Sequence, residues 1–538
     1  MRRTGLLSAI CLAIACQAGD IAGTRGRAES PTDPTQKMSD DPFEQALGAL
    51  SRMDLEGASS FARRALEIRI KERGPEHPDV ARALRLLSAI ELKMGRATEA
   101  ESLARRALSI YEKALGKDDP EVCTTLAQLA SCRVTLGHFD EADLLLNRAL
   151  ATREKELGPD HPELLPLLGN LGISSLRARR CVQAERLFRR ALAIREKAKM
   201  PEAVDLASLL DGLAQSINGR GAPDQARPFA ERAVALGEAK LGPNRLEVAK
   251  FLCGLAQIEH SLHDYDSANA HYRRALAIRE AAYAGGHIEV AEVLDNLARL
   301  DLDRGNIDAG LATARRAVAV GEKAVGPDGP SLAPILDTNA MGCLGTSDFA
   351  EAERLLRRVV AIADKAQGSC GVELAQVLAA LARACGEQGK VEDTIPIYRR
   401  AVAAAEQSRG PDHPGVAALL NNLGSVYLQT HRHAEALPCL KRALRIIEAA
   451  GEGNPQSAVI LDNLAQAYIG QGKFADAEGP AKKALSIAEK ALGPEDPQIA
   501  KFLDTLADIY RKQNRDAEAT MLLERAIAIR KKFVNGFE

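Results

Sequence analysis

Apolar residues in this chain fall at helical spacing, in segments of nearly constant length, again and again. In "PDVARALRLLSAIELKMG", from Pro78 to Gly95, Val80, Leu84, Leu87 and Leu92 recur at that spacing. In "ATEAESLARRALSIYEKAL", from Ala97 to Leu115, Ala100, Leu103, Ala107, Leu108 and Ile110 share one face. The pattern predicts a helix over each stretch. Gly95 and Gly137 stand where the first helix must stop, in the left-handed geometry that glycine tolerates. Gly74, Gly116, Gly158, Gly242, Gly326 and Gly410 end the second helix. Pro78, Pro120, Pro162, Pro330 and Pro414 each follow four residues after such a glycine, where the next helix needs no N–H.

The pair of helices is a repeat. Aligned on the Ala after the basic pair of "RRAL", the units fall at Ala65, Ala107, Ala149, Ala191, Ala233, Ala275, Ala317, Val359, Ala401, Ala443, Ala484 and Ala526. Every step is 42 residues except Ala443 to Ala484, which is 41. A small residue returns inside the first helix, from Ala46 and Ser88 through Gly172 and Gly424 to Ala507. Another returns early in the second helix, among them Ala100, Ala142, Ala184, Ala226, Ala268, Ala352 and Ala436. Small residues in these places let paired helices approach closely. The predicted fold is all-α, about twelve helix-turn-helix repeats stacked as a solenoid over residues 42–538.

Composition sharpens this. Hydrophobic residues make up 46% of the chain, yet aromatics only 4%, with no Trp. Such a core suits close helix-on-helix packing. A net charge of −2 predicts no general affinity for nucleic acid or acidic lipid. The Arg pairs, such as Arg105-Arg106 and Arg189-Arg190, read as a solvated face. Glu101, Glu185 and Glu353 each lie four residues before an Arg, and no stacking aromatics are interleaved. The ten Cys include no CxxC pair. Most read as small core residues, which fits a reducing compartment more easily than an oxidising one.

The start of the chain points the other way. "MRRTGLLSAICLAIACQAGD" has two Arg and then an apolar run from Gly5 to Cys16, too short to span a bilayer. This predicts a signal peptide over residues 1–16 and a disordered polar tether over 17–41. Ala13-Ile14-Ala15-Cys16 resembles a bacterial lipobox with Ala13 where Leu is usual, making Cys16 a lipidation candidate. A plain signal-peptidase cut, an uncleaved anchor and a misassigned start are the alternatives.

The small–small signature, "NLA" in the first helix and "RRALAI" followed by "LGPDHP" in and after the second, resembles the tetratricopeptide repeat (TPR). Its 42-residue period resembles that of the kinesin light chain type. The resemblance covers residues 43 to 532. Joints depart from the pattern at Met200 and Val204, which replace Gly and Pro, and at the extra Pro166. The heptad segment by which kinesin light chain binds its motor has only the polar tether in its place, so motor binding is not carried over. The resemblance implies a right-handed superhelix whose concave groove, lined by first helices, binds extended peptides or helices of partner proteins. Counted along the first helix as from Ala81, the groove-facing fifth position is Asp211, Asp295, Asp337, Asn421, Asp462 and Asp504, and the groove-facing sixth is Asn170, Asn296, Asn422 and Asn463. Such a ladder can hold a partner with Lys or Arg side chains, or pair with cations of the adjacent repeat. Arg82 and Arg85 hold groove positions in the first complete unit.

Motifs for chemistry are not found. His77, His161 and His413 recur at multiples of the repeat and read as helix caps. His431 and His433 lack a third ligand at recognisable spacing. "GQGK" at 470–473 lacks the rest of a phosphate loop, and neither GxSxG nor HExxH occurs. Cys343 and Cys385 hold the same place in successive helices, too far apart for a disulfide. The expected function is a non-enzymatic protein-interaction scaffold with no cofactor and no metal. It binds a protein partner and touches a membrane only through an N-terminal lipid. It is exported to the bacterial cell envelope, periplasmic or lipid-anchored. The alternative is a cytoplasmic adaptor or regulatory array in signalling.

Overall fold

The computed structural model describes residues 41–52, 54–283, 286–366, 373–451 and 454–535. The signal peptide, the tether up to residue 40, and Cys11, Cys16 and Cys370 lie outside these residues. The described residues form 24 α-helices, two short 3₁₀ turns and no strand. They fall into two compact bodies, one ending at Ile335 and the other starting at Leu336. The N-terminal body holds α1 (Pro42–Ser51), α2 (Leu55–Arg73), α3 (Pro78–Lys93), α4 (Ala97–Leu115), α5 (Pro120–Thr135), α6 (Phe139–Leu157), α7 (Leu165–Arg177), α8 (Cys181–Lys197), α9 (Val204–Gly219), α10 (Pro223–Leu241), α11 (Leu246–Ser261), α12 (Tyr265–Tyr283), α13 (Ile288–Asp303) and α14 (Ile307–Val325). After α15 (Ala333–Gly345), the C-terminal body holds α16 (Phe349–Lys365), α17 (Leu374–Glu387), α18 (Val391–Arg409), α19 (Pro414–Gln429), α20 (His433–Ala450), α21 (Gln456–Gly470), α22 (Phe474–Leu492), α23 (Ile499–Lys512) and α24 (Asp516–Asn535). Odd-numbered helices are the first and even-numbered the second of twelve pairs. The fold is an α-solenoid.

Small residues sit where the helices cross. Ala130, Ala214, Ala256 and Ala298 of first helices are fully buried, as are Ala142, Ala184, Ala226 and Ala268 of second helices. Size is exchanged locally at these crossings. A methyl added to Gly172 would stand 2.6 Å from Cζ of Phe188, and one added to Gly212 only 2.4 Å from it. Two glycines, in α7 and α9, thus make room for one buried ring on α8.

The Arg pairs divide their work. The first Arg bonds within its own helix: Arg105 to Glu101 at 2.6 Å, Arg189 to Glu185 and Arg357 to Glu353 at 2.8 Å. The second Arg reaches back to the preceding second helix. Arg148 meets Glu112 at 2.7 Å, Arg190 meets Glu154 at 2.5 Å, Arg274 meets Glu238 at 2.5 Å and Arg442 meets Glu406 at 2.5 Å. Arg190, Arg274, Arg442 and Arg525 also donate to the carbonyls of Pro159, Pro243, Pro411 and Pro494, the prolines of the Gly-Pro stop. Each such Arg therefore ties a helix to the end of its neighbour. Sequence reading had only the first half of this.

The expected joints are present. His77, His161 and His413 cap helical turns, each Nδ1 accepting the N–H two residues on. Pro166 delays the start of α7 by one 3₁₀ turn, Pro162–Leu164, and Pro334 does the same to α15 after Pro330–Leu332. At the degenerate joint α8 stops at Lys197, and Arg195 holds the crossing by bonding Asp205 and the Pro201 carbonyl. The left-handed turn between paired helices is filled by Gly and by other residues in alternation. From Gly137 onward the order is Arg179, Gly221, His263, Gly305, Ser347, Gly389, His431, Gly472 and Asn514, all at positive φ. The seven described Cys are free; Cys123, Cys132, Cys343 and Cys385 are buried, and burial pushes the Cys132 thiol up to about 12.

Two outcomes test this account. Gly212→Ala is expected to cost about 1–3 kcal/mol by overpacking Phe188, and the penalty should shrink in a Phe188→Leu background, as read from urea midpoints. His287 caps α13 by accepting the Glu289 N–H at 3.3 Å and stacks on Tyr283 with ring centroids 4.0 Å apart. Burial holds this imidazole below its ordinary value. The unfolded chain then binds the proton first, so stability should fall as pH drops through about 6.5. His287→Asn keeps the acceptor without titrating, and should flatten that loss in thermal melts at stepped pH.

Candidate functional site

Which helices touch decides which face is inner. Helices two apart in the chain pack directly on one another among the first helices, as α9 on α11 and α19 on α21. First helices therefore form the tighter side of each body. Along α9 one stripe carries Asp211, Gln215 and Asn218, at spacings of four and three residues that keep them on one face. The corresponding stripe of α13 carries Asp295 and Arg299.

Most carboxylates of the Asp/Asn ladder are committed within the chain. Asp211 lies 3.5 Å from Lys250 of the next first helix, and Asp462 lies 3.3 Å from Lys501 in the equivalent pairing. Asp295 pairs with Arg299 at 2.7 Å, and Asp504 with Arg530. Asn463 donates to Asn421 of the preceding repeat at 2.9 Å. Asn170 is buried, Asn296 and Asp337 are half-buried, and Asn422 is exposed. Arg85 is held by Glu121, and Arg82 lies over the Phe43 ring.

Three first helices of the N-terminal body carry further polar groups. Arg177 ends α7, Asn218 lies near the end of α9, and Glu292 lies in the first turn and a half of α13. Arg177 is 9% exposed and Asn218 8%. Nε and Nη2 of Arg177, Oδ1 of Asn218 and Oε1 of Glu292 are buried without a hydrogen-bond partner among the described residues. An unmet buried polar group costs roughly 1–3 kcal/mol, and an unmet charge more.

Electrostatics tie the set together. Burial pushes the Glu292 carboxyl up to about 8, against the opposing pull of Arg279 and Arg177. At neutral pH this carboxyl is therefore mostly protonated. Burial brings the Arg177 guanidinium down to about 10, and the carboxyl of Glu292 resists that fall, so Arg177 remains charged. Arg177 and Glu292 thus sense each other although they stand three repeats apart. Burial also raises Asp211, with Lys250 opposing, and lifts the Cys253 thiol to about 11. Gly254 is part of the same packing: a methyl there would stand 2.4 Å from Oδ1 of Asp211.

Arg177, Asn218 and Glu292 were not found from sequence, because none of them repeats. Their only signal was departure from the periodic pattern at their own positions. The arrangement can hold a ligand by charge and hydrogen bonds. No group of three or more His, Cys, Asp and Glu suited to a metal exists among the described residues. His431 fills a left-handed turn, with its ring 6.0 Å from that of His433. No helix among the described residues is long and apolar enough to cross a membrane.

A family model described as tetratricopeptide repeat matches residues 45–113, 87–155, 145–197, 205–281, 289–365, 373–449, 416–490 and 456–532. None of the curated proteins matches the chain. Among solved structures, a putative kinesin light chain of Podosopora anserina with nearly identical TPR-like repeats is similar at 22% identity and a TM-score of 0.32, covering 39% of this chain and 99% of that one. A Rap protein complexed with competence and sporulation factor is similar at 11% identity and a TM-score of 0.48, covering 68% and 97%. The apo form of RapI is similar at 17% identity and a TM-score of 0.42, covering 52% and 97%. Matched over most of its length by the repeat model, and folded throughout its described residues as paired helices, the chain belongs to the tetratricopeptide repeat family.

Proposed function

We propose that this protein is a non-enzymatic scaffold that holds a segment of a partner protein against its first helices, and that it is exported to the bacterial cell envelope. The observation that supports the first part is the direct packing of first helices on one another, with Asp211, Gln215 and Asn218 spaced to share one side of α9. Asn296 and Asn422, groove positions by resemblance to the family, carry side-chain amides that both donate and accept, which suits a peptide backbone. Export rests on the Arg-Arg start and the apolar run to Cys16. A cytoplasmic adaptor is the second reading, favoured by the seven free thiols among the described residues.

Two measurements decide. A photocrosslinking residue placed at Asn296 or Asn422 in the native host is expected to trap a defined protein adduct. The same residue at the exposed Leu144 of α6 is not. Equal trapping at all three positions, or none at the inner two, would overturn groove binding. The mass of the mature N-terminus should show cleavage before Cys16 with lipid, or a plain cut. An intact Met1 in the soluble cytosolic fraction would overturn export and leave the adaptor reading.

A further inference from the structure

α24 packs on α23, and no further helix follows it among the described residues. Inside the array, the side it leaves open is a seam. Leu485 of α22 packs there against the cluster that holds Phe502 and Leu503 of α23. Its counterpart 42 residues on is Ile527, which is 48% exposed. Leu523, Ile527 and Arg530 follow at spacings of four and three residues, so they share one face. A terminal repeat normally turns a polar face outward. Here an apolar side chain stands in the middle of it.

Charge along this edge departs from the interior rule. Glu489 of α22 bonds Arg525 at 2.7 Å, and Glu280 of α12 bonds Arg316 at 2.5 Å. Interior second helices of this kind offer an acid to a cation of the next. The counterpart of Glu489 on α24 is Lys531, exposed and without a partner among the described residues. Arg153 and Arg195 each hold an acid at the start of the following first helix, Glu163 and Asp205. Their counterpart Arg530 has no such helix to hold and pairs with Asp504 of α23. The edge therefore keeps the apolar contact of a continuing repeat and exchanges its acid for a cation.

From this exchange we infer that the open side of α24 docks an acidic amphipathic helix of a different protein. Its apolar stripe lies on Leu523 and Ile527, and its carboxylates lie on Lys531 and Arg530. A second copy of the chain is the rival occupant. Continued head to tail, it would bring Arg64, the exposed second Arg of the first unit, to Lys531. Interior seams put Arg against Glu at that place, whereas two like charges oppose docking. An acidic helix meets the same cations favourably, and it gives Arg530 the acid that Asp205 gives Arg195. Because α24 is a second helix, this docking does not draw on the first-helix face.

The test is selection of phage-displayed, helix-biased peptides on the full chain, after depletion on the Ile527→Asp variant to remove groove binders. Ile527 and Lys531 are both exposed, so Ile527→Asp and Lys531→Glu should keep the thermal midpoint of the unaltered chain. The expected consensus is amphipathic, with Asp or Glu at fixed positions beside its apolar stripe. In fluorescence anisotropy, Lys531→Glu should weaken that peptide by about tenfold, the worth of a charge-assisted bond. A peptide with amides in place of its acids should bind the two chains alike. A basic consensus, binding undiminished on Lys531→Glu, or failure to enrich any sequence would overturn the inference. So would a dimer of the full chain in sedimentation that Ile527→Asp disperses, since a second copy would then cover the edge. None of these outcomes bears on the crosslinks at Asn296 and Asn422, so groove binding stands or falls separately.

Discussion

Every other contact in this chain waits on the close crossing of two short helices at an alanine. No helix pair here can bury its apolar side alone, because each is only two helices thick and nearly without aromatics. The crossing must therefore be tight enough for the pair to present a flat, complete surface to the next pair. Fully buried Ala at Ala142, Ala184 and Ala226 shows how little space is allowed. Where a large side chain enters, as Phe188 does, both neighbouring first helices yield a Cβ to admit it. Volume is conserved at the crossing even when the individual residues are not.

Register between pairs is a separate matter, and polar groups settle it. The second Arg of several pairs, Arg190 and Arg274 among them, bonds both a carboxylate on the preceding second helix and the carbonyl of the proline that follows that helix. Exposed ion pairs add little stability. A fork that binds a side chain and a backbone group at once does something else: it fixes how far one helix slides along another.

How much of this was legible follows from one distinction. Whatever repeats could be read; whatever occurs once could not. Helix limits such as 97–115 and the buried small residues return at one spacing along the array, and the His caps return at multiples of it, so the copies reinforced each reading. The reach of Arg190 to Pro159 also repeats, but it spans two hairpins, and spacing within one helix could not expose it. Gly212 looks like an irregularity until Phe188 is placed beside it. Arg177 and Glu292 are 115 positions apart in sequence (177 to 292), and only the fold brings their charges into range. Architecture is what the repeat states, and its exceptions must be read from the structure.

The alternation in the turns between paired helices has a consequence for how the array yields. Left-handed backbone costs an ordinary L-residue roughly 1–2 kcal/mol that glycine does not incur, and Asn less. From Gly137 on, glycine hairpins and hairpins closed by Arg179, His263, Ser347 and His431 follow one another. Weaker and stronger hinges therefore alternate along each body. Fraying, proteolytic nicking and mechanical peeling then have a grain of two hairpins, near 84 residues, although the chain is written in 42.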